Sequence, residues 1–282
     1  VYDVPVMYFP KFFHPDPTVK RRSGFLIPTF KNSSNSSNYL SVPYFHAISL
    51  NKDITFTPRF FAEDKILLQT EYRQVNLDSS HISDLSIFKE KDLNSKNHFF
   101  YSYDKIMNFS YFEDASLNLN IEKTSNDTYL KLSKLDSPLI TTYDVMENSL
   151  SFDLYSDDFS IDTDLIVYEN LNKNNNSDKY EFILPSINLI KNIENETNLN
   201  GNFSFTSNNL ARNYDTNVFE KTNINNLIFN SNPKISNNGF YNNYDFIIKN
   251  VNSDSNNSDS FKENENYYLS SLFQFNSSLP LI

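Results

Sequence analysis

Apolar and polar residues alternate with a period of two along most of the chain. Ile54, Phe56, Pro58 and Phe60 alternate with Thr55, Thr57, Arg59 and Phe61. Ile66, Leu68, Thr70 and Tyr72 alternate with Leu67, Gln69, Glu71 and Arg73. The same beat recurs from Ala115 to Glu122, from Ile161 to Tyr168 and from Tyr267 to Asn276. Such alternation predicts half-buried strands, one face apolar and one polar. The pattern gives roughly 12 to 14 strands, several about 9 to 11 residues long, and no segment keeps a helical period over three turns. Between the strands lie polar stretches at 32–38, 172–178, 192–198 and 252–259, rich in Asn, Ser and Asp. These residues bond their own backbone and tolerate turn geometry, so they can stand in for glycine.

Several long antiparallel strands without helices fit a sandwich, a solenoid or a large barrel. Asn-rich segments without a fixed period make the solenoid the weakest of the three. A transmembrane barrel needs segments of about ten residues with apolar lipid-facing and polar lumen-facing positions. A soluble sandwich instead turns two apolar faces toward each other. Side-chain direction along residues 53–75 separates the two.

Composition narrows the field. The chain has 282 residues, 26 Phe and 18 Tyr, but only 39% apolar residues, and Asn plus Ser exceed a quarter of it. The apolar groups are therefore sparse but large, which suits elements that bury one face each. There is no Cys, so no disulfide framework, thiolate metal site or thiol nucleophile arises within it. A net charge of −11 argues against a nucleic-acid partner. The histidines His14, His46, His81 and His98 have no metal-ligand spacing, and no nucleophile elbow occurs. The chain thus predicts neither an enzyme nor a cofactor. No stretch approaches a transmembrane helix. The start at Val1 and the ending Leu279-Pro280-Leu281-Ile282 read as a fragment cut at both ends, so a missing signal peptide says nothing about location.

Residues 5–75 are more specific. Pro5-Val-Met-Tyr-Phe-Pro10 precedes Lys20-Arg-Arg-Ser-Gly-Phe-Leu-Ile-Pro28. Then come Val42-Pro-Tyr-Phe45, Asp53-Ile-Thr-Phe-Thr-Pro58 and Leu68-Gln-Thr-Glu-Tyr-Arg73. This ordered set closely resembles the LPS-assembly (LptD, organic solvent tolerance) family of Gram-negative outer membranes. Phe182-Ile-Leu-Pro-Ser186 and Ser278-Leu-Pro280 are weaker landmarks. The resemblance implies an antiparallel transmembrane β-barrel preceded by a periplasmic β-jellyroll. Residues 1–16 would end the jellyroll, and 17–282 would be the N-terminal half of the barrel. It implies lipopolysaccharide (LPS) as cargo, an LptE lipoprotein plug, an LptA bridge reached through the missing jellyroll, and outer-membrane lipids as surroundings. It also implies a lateral gate at the first strand, at Pro28 and Pro43. Cysteines that join jellyroll and barrel in well-known members are absent here. Two other function classes fit the bare pattern, a soluble sandwich adhesin or glycan-binding module and a generic porin or receptor.

The residues support the gate in their own terms. Proline has no backbone N–H and removes a ladder bond. Pro28 and Pro43 are symmetric about Asn35-Ser36, so a turn there sets them opposite each other in one hairpin. The plainer reading is that both mark strand ends. Lys20, Arg21 and Arg22 suit LPS phosphates at the jellyroll junction, or form a solvated basic turn at the membrane boundary. Arg59, Glu71 and Arg73 read as a lumen charge ladder, or as cross-strand pairs that stabilise the wall. Tyr8, Phe9, Phe12 and Phe13 fit a lipid slide or an ordinary jellyroll core.

Overall fold

The computed structural model describes residues 21–33, 36–62, 64–174, 176–194 and 199–279. Residues 1–16, expected to end a jellyroll, the aromatics Tyr8 to Phe13, Lys20 and Asn35 lie outside that set. The described chain forms one antiparallel meander of seventeen strands. The first hairpin is built from four pieces, β1 (Gly24–Phe25), β2 (Thr29–Ser33), β3 (Ser36–Ser41) and β4 (Tyr44–Ser49). There follow β5 (Lys52–Phe61), β6 (Ile66–Val75), β7 (Ser79–Lys89), β8 (Lys96–Ile106) and β9 (Asp114–Thr124). After a short helix α1 (Tyr129–Ser133) come β10 (Val145–Ser156) and β11 (Phe159–Asn170). A four-residue helix α2 (Asn176–Lys179) leads to β12 (Tyr180–Ile193), β13 (Gly201–Tyr214) and β14 (Val218–Ser231). The stub β15 (Lys234–Ile235), β16 (Tyr241–Asn256) and β17 (Asn266–Ser278) complete the meander. Count each proline-broken strand once and set aside the stub, and fourteen strands remain, the top of the expected range.

Each strand pairs with its neighbour in the chain from β5 through β14, and β14 passes to β16 and then β17. Among the described residues β17 pairs with β16 alone, so the sheet is open. Turns use the expected substitutes for glycine. Asp64, Asp92, Asp215, Asn217, Asn257 and Asn264 all have φ between +42° and +68°. Asp and Asn tolerate that region through local hydrogen bonds.

Side-chain direction along residues 53–75 is inverted relative to a soluble domain. Phe60 and Leu68 are 48% and 40% exposed on the outer face. On the inner face Asp53, Arg59 and Gln69 are buried. Farther along, Asp84, Ser86 and His98 are buried too, while Ile87 and Phe99 face out. Polar groups inside and large apolar groups outside are the reverse of the usual partition. A packed sandwich, with apolar inner faces, is not formed. An open wall of a partial β-barrel accounts for both faces.

One apolar cluster does sit inside. Leu67, Phe100, Tyr129, Leu130, Leu135, Met146 and Leu171 form it. Its centre comes from the connection between β9 and β10, residues 125–144, which folds inward over β5–β8 instead of running along the rim.

Candidate functional site

The site is the first hairpin, the inner face of β5–β7 and the inward segment. Its local origin is proline. The outer strand is interrupted between Phe25 and Thr29, around Pro28, and the inner one between Ser41 and Tyr44, around Pro43. The ladder reads Phe25↔Tyr44 on one side of the break and Thr29↔Ser41 on the other. The register therefore slips by one residue across the interruption. Val42, not Pro43, comes opposite Pro28, and the Leu26 amide donates to the Pro43 carbonyl at 2.9 Å. The expected face-to-face prolines are thus one step out of line, because the ladder on the turn side already runs Thr29↔Ser41, one residue off the register that symmetry about positions 35 and 36 predicts. Both still fall in the same gap of the ladder.

Behind this gap, on the concave side, lies a cavity of about 370 Å³. Leu26, Lys31, Pro43, Arg59, Glu71 and Lys134 are among the residues lining it. The hairpin forms one wall and the inward segment the other. Three of these side chains, Pro43, Arg59 and Glu71, were marked by the sequence.

Arg59 reaches across the cavity. Its Nη1 donates to the Ser133 carbonyl at 2.9 Å and the Lys134 carbonyl at 3.3 Å. These are carbonyls of the last turn of α1, where intrahelical donors run out and a cation is favoured. The same guanidinium lies 5.0 Å over the Tyr39 ring of β3. Glu71 pairs with Arg73 two residues along its own strand, at 2.7 Å. The three are therefore not one ladder of free charges. Arg59 holds a loop, and Arg73 and Glu71 neutralise each other. Arg21 binds Asp53 at 2.8 Å and lies 5.8 Å over Phe45, while Arg22 is exposed.

A polar network beneath the segment had no signal in the sequence. Gln69 Nε2 donates to Asp84 Oδ2 at 2.9 Å and to the Asp136 carbonyl at 3.0 Å. Ser86 Oγ lies 2.5 Å from His98 Nδ1 and 2.6 Å from the Tyr129 hydroxyl. Asp84 Oδ1 and His98 Nε2 have no hydrogen-bond partner and face each other at 3.6 Å. Burial pushes the Tyr129 phenol up to about 12, against the opposing Ser86 hydrogen bond and Arg59 charge. The hydroxyl therefore stays protonated and keeps its bond to Ser86 throughout the physiological range. Within the inward segment only the five residues of α1 are helical, too few to hold without docking.

At the mouth of the segment, Lys131 Nζ pairs with Asp144 at 2.5 Å, and Asn172 donates to the same carboxylate at 3.1 Å. The Lys131 and Asn172 hydrogen bonds hold the Asp144 carboxyl below its ordinary value. A depressed carboxyl contributes stability that is present above its unfolded value and is lost as pH falls through the folded one. The tie should therefore persist from neutral pH down past the ordinary Asp value of about 3.9. Hydrogen exchange of residues 140–145 measured against pH checks this; loosening already between about pH 7 and 5 would contradict it.

No family model matches the chain. It is similar to the LPS-assembly protein LptD of Idiomarina loihiensis, 32% identical over 130 residues, which are 46% of this chain and 17% of that protein. The LPS-assembly protein LptD of Cupriavidus pinatubonensis is 33% identical over 128 residues, 45% of this chain and 15% of that protein. That of a Shewanella species reaches 37% identity over 73 residues, 26% of this chain and 9% of that protein. The matched stretch spans about a sixth of the first two relatives. With its inside-out antiparallel wall, the chain is similar, over about half its length, to a piece of LPS-assembly protein LptD.

Proposed function

We propose that the chain is part of an outer-membrane barrel that delivers LPS to the cell surface, and that its first hairpin is one leaf of a lateral gate. The observation that carries this reading is an inside-out wall whose leading hairpin is broken by prolines beside a polar cavity. The similar proteins are named for LPS assembly, and that name supplies the cargo. In this reading residues 1–16 end a periplasmic jellyroll and 17–282 begin the barrel. The rim at residue 21 faces the periplasm. Turns as short as Leu50-Asn51 and Asp157-Asp158 lie there, and the long inward segment starts from the other rim.

Each part of the site then has a task. The apolar outer face meets lipid. The cavity behind Pro43 takes the polar part of the cargo as it passes the hairpin, where Lys31, Arg59 and Lys134 favour phosphate. Lys20, Arg21 and Arg22 lie at the jellyroll junction, and Arg21 must leave Asp53 before it can bind a phosphate. LptE occupies the part of the concave face that the inward segment leaves open, and LptA feeds the jellyroll.

The energetics suit a seam that opens without unfolding the wall. A net ladder bond contributes only ~0.5–1.5 kcal/mol, so the broken hairpin is soft and the uninterrupted ladders behind it are not. Pro28→Ala with Pro43→Ala in the full-length protein restores two donors. The open population should fall on the order of tenfold or more. LPS delivery to the surface should slow, and detergent sensitivity of the cells should rise. Normal delivery and normal detergent resistance in that double variant would sink the gate reading.

A further inference from the structure

A third proline stands at the height of the other two. Ser41↔Arg59 and Tyr44↔Phe56 bracket Val42 and place it opposite Pro58 of β5. The Val42 amide donates to the Pro58 carbonyl at 3.3 Å. A hydrogen-bonded antiparallel pair normally exchanges two such bonds. The return bond needs a Pro58 N–H, which proline lacks. One residue on, the Leu26 amide donates to the Pro43 carbonyl, and that return bond needs a Pro43 N–H. Val42 and Pro43 therefore stand in two half-made pairs, one facing β5 and one facing β1. The inner strand of the hairpin is loosened on both sides at a single height.

The defect is one-sided at β5. Since Pro58 offers its carbonyl to Val42, its missing donor also points toward the hairpin. On the other side β5 and β6 pair without a register shift from Lys52↔Gln74 to Phe60↔Ile66, straight through Pro58↔Leu68. The β5–β6 ladder is thus intact at this height, and the defect at Pro58 lies on the side that faces the hairpin.

We infer that Pro58 is a third gate residue, and that the opening unit is the whole hairpin 24–49. It swings along the seam at Val42 and Pro58, where β5 offers no return bond. The role in delivery rests on the gate reading above; the hinge itself does not.

Hydrogen exchange on the full-length protein in detergent tests the hinge. Pro58→Ala and Pro58→Thr both supply the missing donor, and Thr keeps a strand-forming side chain. The Val42 amide should exchange roughly fivefold more slowly in both, with amides of β8 and β9 unchanged as the internal reference. Pro43→Ala should slow the Leu26 amide instead. An unchanged Val42 amide in both Pro58 variants overturns the hinge. LPS delivery by cells carrying Pro58→Ala tests the gate assignment and should slow. Slower exchange with undiminished delivery would leave the hinge standing and overturn the assignment of Pro58 to the gate. If the Pro28/Pro43 double variant also delivers normally, it is the gate reading itself that fails.

Discussion

Leu130→Ala should release residues 125–144 from the wall. Leu130 is fully buried among Leu67, Phe100, Tyr129, Leu135 and Met146, and truncating such a leucine costs about 2–5 kcal/mol. The neutral hydrogen bonds that also hold the segment contribute about 0.5–1.5 kcal/mol each, so among the uncharged ties the apolar contact is the largest. Even the low end of that cost raises the undocked population on the order of thirtyfold. Lys131 and Lys134 flank the buried turn and would become trypsin sites. When opening is fast relative to cleavage, the cleavage rate follows that population. Limited trypsin digestion of the full-length protein in detergent should therefore cut Leu130→Ala at these lysines many times faster than the wild type. Leu132→Ala is the control, because Leu132 is 66% exposed and holds nothing. Equal cleavage of wild type and Leu130→Ala would mean that the segment does not depend on the cluster.

That segment marks the limit of what the sequence made legible. The wall was legible because a strand repeats every two residues, and Phe56 to Phe60 or Ile66 to Leu68 show the beat directly. Its polarity needed side-chain direction, since alternation alone does not say which face meets water. Tyr129, Leu130 and Leu135 sit in a connection of twenty residues, and α1 is too short to show a helical period. Their burial is a tertiary fact, set by Leu67 and Phe100 from strands some thirty to sixty residues away. Asp84, Ser86 and His98 gave no sign of their shared network for the same reason. The prolines were legible as residues but not in register, since the register shift between Lys31↔Tyr39 and Ser33↔Ser36 leaves no trace in the spacing. Pro58 looked like one more outward position. Its part appears only when the Val42 amide is seen bonded to it.

Arg59 is where hairpin and inward segment meet, so its replacement should move both. Its guanidinium satisfies two carbonyls of the last turn of α1 and lies over Tyr39 of the first hairpin. Arg59→Ala leaves the Ser133 and Lys134 carbonyls without that donor and opens the cavity wall. Hydrogen bonds from a charged donor contribute about 1.5–3 kcal/mol, so a loss of about 2–4 kcal/mol is expected. Arg59→Lys should recover only part of it, because an ammonium has neither the planar fork nor the flat face that stacks on Tyr39. Trypsin should then cut at Lys131 and Lys134 faster in Arg59→Ala than in Arg59→Lys, and amides of β3 should exchange faster in the same order. Tyr39→Leu separates the two arms. It should speed exchange in β3 and leave cleavage at Lys131 and Lys134 close to wild type, because the carbonyl bonds survive it. If instead Arg59→Ala loosens the segment while β3 exchange stays at the wild-type rate, the hairpin and the segment are mechanically independent. The hairpin would then move without any change at the inward segment. If both loosen together, a ligand that binds in the cavity and draws Arg59 away from Ser133 would free the loop and the hairpin in one step.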